Sequence, residues 1–354
     1  MELISQWLPN LHTLTLRLPA RQQPGGQLSQ EFCLKFLTTS FPKGLVGFHL
    51  TSSRPFRFPA GFVSALCALL RDCCHDLKIL VLDVEGASFL DSYSEMASCR
   101  LKTVIWSTRL PVGFSNVALW TERPGCVRRL KLNRCLINRA PVQIWDSVAD
   151  CGLEELEIVD VFATDLRIPP NRNLFPQLKV LKVVCNSGLM PWERLALSRR
   201  LTLLRVEVIV ERPQWSSLRS VIARNPCLSE IFLWSTTVSF DIEILLSLAS
   251  VASLRKLTLG RVALNGCWDG AVALSRRNRF VSPVQDLKLS LFGQPLPGKF
   301  VSILSTTYPN LRHLNLELTV PSSFVFRVTT PPTRILRLPL LETFEIGSFM
   351  QKRC

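Results

Sequence analysis

The hydrophobic positions of this chain return in one six-residue phrase, L-x-x-L-x-L, with Ile, Val or Phe replacing some leucines. It occurs as LHTLTL from Leu11, LVGFHL from Leu45, LKILVL from Leu77, LKTVIW from Leu101 and VRRLKL from Val127. It continues as LEELEI from Leu153, LKVLKV from Leu178, LTLLRV from Leu201 and LSEIFL from Leu228. LRKLTL from Leu254, VQDLKL from Val284, LRHLNL from Leu311 and LETFEI from Leu341 complete the series. Thirteen copies between Leu11 and Leu341 give a mean step of about 27.5 residues, the period of a stacked solenoid.

Each phrase alternates as a strand does. In LKVLKVV (178–184), Leu178, Leu181 and Val183 share one face, while Val180, Lys182 and Val184 share the other. One rung cannot bury its own apolar face, so neighbours must stack into a parallel sheet with an inner ladder. Each inward leucine then contributes roughly 1.5–3 kcal/mol. Between the phrases lie helical spacings: Phe62, Leu66, Leu69 and Leu70; Leu218, Val221 and Ile222; Ile242, Leu245 and Leu248; Phe300 and Leu304. The expected fold is an α/β horseshoe with a concave parallel sheet and convex helices.

The turn into many strands carries Pro or Cys, as in LPNL (8–11), FPQL (175–178), NPCL (225–228) and YPNL (308–311). Cys99, Cys126 and Cys151 stand at related places. Proline lacks an amide proton and constrains its predecessor, which stops a helix. The first two steps are longer, at 34 and 32 residues, and RQQPGGQLSQ (21–30) accounts for the first. Pro-rich TTPPTRILRLP (329–339) loosens the last. No other linker divides the chain, so residues 1–354 are expected to form a single domain of about thirteen rungs.

Composition adds limits. Of 354 residues 47% are hydrophobic, which supplies a large core. The longest apolar candidate, FVSALCALL (62–70), is too short to span a bilayer, and MELISQWLPN has no basic leader. No membrane span or signal peptide is expected. Twelve cysteines, several inside apolar stretches such as Cys33, Cys67, Cys135 and Cys185, fit a reduced intracellular compartment, cytoplasmic or nuclear. The net charge of +15 permits attraction to acidic partners or nucleic acid. The charges are scattered, with short clusters at Arg199-Arg200 and around Arg276-Arg277, so a basic protein-binding surface is favoured over a nucleic-acid site.

On these phrases the chain resembles leucine-rich-repeat proteins over nearly all its length. It is most similar to the cysteine-containing and ribonuclease-inhibitor-like intracellular types. Cys135 and Asn186 stand at the Asn/Cys position three residues after the phrase, whereas Ile209, Thr236, Val262, Phe292 and Thr319 replace it elsewhere. The N-P-x-L and F-P-x-L turns resemble the repeat arm of F-box proteins, fungal ones especially. That resemblance implies substrate recognition in an F-box-type ubiquitin ligase, with ligase subunits as partners if an F-box lies upstream. No F-box is visible ahead of Leu11 and both ends look uncapped, so a truncated product or an F-box-less relative is expected. A general repeat adaptor, or a basic scaffold for RNA or an acidic protein, are the alternatives.

Candidate chemistry is sparse. GQPLPGKF (293–300) matches G-x-x-x-x-G-K, but Phe300 stands where a phosphate loop needs Ser or Thr, and Pro295 and Pro297 remove cradling amides. Cys73-Cys74-His75 has no second ligand pair for zinc. His12, His49, His75 and His313 accompany no G-x-S-x-G elbow. No enzyme activity, cofactor or metal is expected. The candidate site is the concave face, with a protein partner contacted by Ile105, Arg129, Lys131, Glu155, Glu157, Phe232, Trp234 and His313. Arg129 and Lys131 lie one rung from Glu155 and Glu157, so these charges should pair. Phe232 and Trp234 are expected to face solvent, and tryptophan is enriched at binding hot spots.

Overall fold

The computed structural model describes residues 10–18, 44–52, 62–83, 100–107, 111–113, 127–133, 136–138, 152–159, 162–163, 175–185, 196, 198–208, 215–235, 240, 242–263, 281–292, 298–320 and 338–350. It falls into two compact units, Met1–Ser198 and Arg199–Cys354.

In the first unit each phrase forms a strand, and the strands lie side by side, parallel and in chain order. They are β1 (Thr13–Leu18), β2 (Gly47–Ser52), β3 (Ile79–Asp83), β4 (Thr103–Ser107), β6 (Arg129–Asn133), β8 (Glu155–Val159) and β10 (Val180–Cys185). The second unit repeats the plan with β11 (Leu203–Val208), β12 (Glu230–Ser235), β13 (Lys256–Ala263), β14 (Asp286–Phe292), β15 (His313–Val320) and β16 (Thr343–Met350). Each unit is thus a parallel α/β solenoid of stacked strands, as the phrase predicts.

The alternation of the phrase explains why the strands stack this way. Leu178, Leu181 and Val183 are all fully buried, and so are the equivalent Leu77, Leu80 and Leu82. Next to them Val180, Lys182 and Val184 keep partial access to solvent on the opposite, open face. The backbone adds a repeated joint. The carbonyl of the second phrase residue accepts two N–H groups from the next rung: His12 from Val46 and Gly47 at 2.8 and 2.9 Å, Gln285 from Arg312 and His313 at 2.8 and 2.9 Å. The spine opens at the last strand, where Phe344 and Ile346 are 49% and 56% exposed. Among the described residues β16 has a strand on one side only.

The turns into the strands are β-turns. The first leucine of a phrase donates its N–H to the carbonyl three residues earlier: Leu178 to Phe175, Leu228 to Asn225, Leu254 to Val251 (3.1 Å each) and Leu311 to Tyr308 (3.3 Å). Pro176, Pro226 and Pro309 thus sit second in these turns, where their fixed φ is an asset. The residue before each proline is the anchor: Phe175, Asn225 and Tyr308 are buried to 2% exposure or less. Cys74 takes the same place, fully buried, with Leu77 donating to its carbonyl at 3.1 Å. The Cys73-Cys74-His75 run is therefore the end of a helix and the start of a strand turn.

All four helical spacings lie in helices: α1 (Phe62–Cys73), α2 (Trp215–Arg224), α3 (Ile242–Ala249) and α4 (Gly298–Thr307). After β4, β6 and β8 come short strands, β5 (Pro111–Gly113), β7 (Leu136–Asn138) and β9 (Phe162–Ala163), which form a second parallel ladder. Pro111 blocks a helix there, and Val112 and Ile137 favour extended backbone. The segments 21–30, 293–297 and 329–337, and Cys33, Cys99, Cys126, Cys135, Cys151 and Asn186, lie outside the described residues.

Candidate functional site

The open face is built from the third, fifth and seventh residues of each phrase. All eight candidate residues fall on it, five in the first unit and three in the second.

In the first unit β8 carries the acids. Register sets Arg129 opposite Glu155 and Lys131 opposite Glu157, and both pairs close, at 3.1 and 2.6 Å. On the other side Lys182 reaches Glu157 at 3.5 Å. One position earlier in the phrase, Glu154 stands between Arg128 (3.5 Å) and Lys179 (2.9 Å). An acidic strand is thus held between two basic ones. Burial alone would raise the Glu157 carboxyl; the hydrogen bond from Lys131 and the charges of Lys131 and Lys182 outweigh it and hold Glu157 below its ordinary value. For Glu154 the hydrogen bond from Lys179 is the main cause of the same downward displacement. Ile105, on β4, is partly buried between Val81 and Lys131 in register. Val81, on the same face of the neighbouring strand, is only 7% exposed on that apolar stretch.

In the second unit β12 carries the aromatics. Phe232 and Trp234 stack with centroids 6.5 Å apart and planes 17° apart. The Arg205 guanidinium, on the neighbouring β11, lies 4.4 Å from the Phe232 centroid. Arg205 Nε donates to Glu207 Oε1 at 2.6 Å, and the same carboxylate pairs with Arg205 Nη2. Both aromatics are partly buried rather than fully exposed. The reason lies in the next rung. A β-carbon on Gly260 would collide with the six-membered ring of the Trp234 indole, so the indole packs closely against the β13 backbone.

That backbone is irregular at this point. The β13–β14 register shifts between Leu259 and Val262, and Arg261 takes a φ of 58°. A non-glycine residue in the left-handed region costs of order 1 kcal/mol or more, and such bulges gather beside functional sites. The Arg261 carbonyl is fixed by the Phe240 N–H at 3.0 Å. His313 is exposed on β15 and meets the Thr343 hydroxyl through Nδ1 at 2.7 Å; it takes no part in the aromatic cluster.

Sequence reasoning missed Arg205, Glu207 and Gly260. The signal was present: Trp234 and Gly260 both follow the sixth phrase residue, so an aligned reading puts the largest side chain beside the missing one. Among the described residues no group of three or more His, Cys, Asp or Glu could hold a metal ion, and no helix is long and apolar enough to cross a membrane.

No family model and no curated protein matches the chain. Among solved structures it is similar to a leucine-rich-repeat protein of Leptospira interrogans. The match has 15% identity and a TM-score of 0.37, and it covers 88% of this chain and 84% of that one.

Proposed function

We propose that the chain is a protein-binding scaffold whose partner sits on the open strand face, with Trp234 and Phe232 as anchors. One observation carries this reading. Two large aromatic side chains stack on the polar face of the sheet, outside the leucine spine. Partly desolvated Trp next to Arg is the composition of a binding hot spot. His313, solvated on the same unit's open face, would contribute a rim contact. On the first unit's own open face Ile105 would offer apolar contact and Arg129, Lys131, Glu155 and Glu157 weak contacts, since these charges are already paired.

Capture of protein partners by the wild-type chain and by Trp234→Ala tests this. Binding should fall about tenfold or more. The melting temperature should fall by no more than about 2–4 °C, the scale of a 1 kcal/mol loss in a chain this long. Equal capture by both proteins would remove the aromatic pair from the interface, and a larger thermal loss would make Trp234 a core residue.

The finer proposal is that the scaffold serves as the substrate arm of an F-box-type ubiquitin ligase in the cytoplasm or nucleus. Its support is the resemblance of the X-Pro-x-Leu turns. Co-purification of the full-length gene product with the ligase's cullin adaptor is the expected result, and a partner set without ligase subunits would favour a general adaptor. The net charge of +15 favours one further reading, a scaffold for RNA or an acidic protein. Binding that collapses between low and moderate salt would support it.

A further inference from the structure

Trp234 packs through its six-membered ring against Gly260 and keeps partial access to solvent. Among the described residues Phe232 is its one aromatic contact. Phe232 by contrast already has a cation over it, Arg205, whose guanidinium is also held by Glu207. Both contacts to Glu207 use Oε1, which leaves Oε2 without a described partner. Register places Glu207 directly opposite Trp234 on the neighbouring strand. Glu230, exposed at the other end of the same aromatic row, has no described ion pair either. In a chain of net charge +15, this spot has acid to spare next to a partly exposed indole.

We propose that this spot takes an arginine side chain of a protein partner, its guanidinium flat on the outward face of the Trp234 indole and hydrogen-bonded to Glu207 Oε2. The protein already contains the same arrangement once, in Arg205, Phe232 and Glu207, so the neighbouring ring and the remaining oxygen repeat its chemistry. Tryptophan is the best ring for such a contact, and a planar guanidinium can stack and donate together. Acidic neighbours disfavour the alternative occupant of an exposed indole, a nucleobase, because its phosphates would meet Glu207 and Glu230. Gly260 is a positioning residue: any side chain there would lift the indole off the sheet. This assignment rests on the scaffold reading and narrows it to a basic partner segment.

The test uses the full chain labelled with 5-fluorotryptophan. Trp234→Phe identifies the Trp234 fluorine signal among the eight tryptophans. The probes are acetyl-Gly-Arg-Gly-amide, the same peptide with citrulline, and a short oligouridylate. The arginine peptide should shift the Trp234 signal saturably. The citrulline peptide should bind at least about threefold more weakly, the scale of a surface cation–π contact. Glu207→Gln should weaken the arginine peptide similarly while leaving the free signal in place. Equal binding of citrulline, no shift with arginine, or a shift with oligouridylate alone would each overturn the assignment. If arginine fails while Trp234→Ala still loses the captured partner, the scaffold reading stands and only the ligand is wrong. If both fail, the reading of Trp234 and Phe232 as anchors falls as well.

Discussion

Asn225 shows how one buried side chain holds a coil together. It is fully buried; its amide nitrogen donates to the Val221 carbonyl at 2.8 Å, and its amide oxygen accepts the Leu201 N–H at 3.1 Å. The first bond closes the end of α2 and the second ties the preceding rung. Tyr308 does similar work in α4's turn: its buried hydroxyl donates to the Leu245 carbonyl at 2.7 Å. Tyr308→Phe should therefore cost about 1 kcal/mol, measured by urea unfolding at neutral pH. Burial also raises the Tyr308 phenol well above its ordinary value. Its contribution is thus complete below about pH 10 and fades as pH climbs toward the folded value. The cost of Tyr308→Phe should shrink on that alkaline side; a cost independent of pH would contradict the buried hydrogen bond. At this scale the sequence was half legible. Proline in X-Pro-x-Leu was visible, but which residue anchors the turn was not, because Phe, Asn, Tyr and Cys share only the ability to fill one buried place.

At the scale of elements, the strands read well because a strand has period 2 and each phrase repeats it. The pairing of Arg129 and Lys131 with Glu155 and Glu157 followed from that register alone. The second cation on Glu157, Lys182, needed the same reasoning applied to the rung beyond. The short ladder of β5, β7 and β9 was not legible: strands of two or three residues are set by neighbours rather than by their own pattern. Glu157 offers a measurable consequence. Its carboxyl titrates below its ordinary range in the folded chain, so the contribution of the Lys131–Glu157–Lys182 row is present above about pH 4.3 and is lost as pH falls further. Glu157→Gln should be less stable than wild type by under about 1 kcal/mol at neutral pH, given the partial exposure of the pair. The gap should narrow as pH falls below that value. A gap unchanged by acid would mean that the row does not hold in solution.

Across the whole molecule, the repeat of one phrase decides the architecture, and the open face decides what the architecture can do. The fold was legible because thirteen copies average out local exceptions. The site was legible only in outline, since stacking across rungs brings together residues about 27 apart in sequence. Arg205, Phe232, Trp234 and Gly260 become one cluster only when three consecutive rungs are aligned. Every functional statement therefore depends on the alternation between spine and open face, and two adjacent residues of β10 test it. Leu181 is fully buried, while Lys182 lies on the open face. In urea unfolding, Leu181→Ala should cost about 2–5 kcal/mol as a core cavity. Lys182→Ala should cost under about 1 kcal/mol. Equal costs, or a loss below about 0.5 kcal/mol at Leu181, would contradict the ladder and with it the open face.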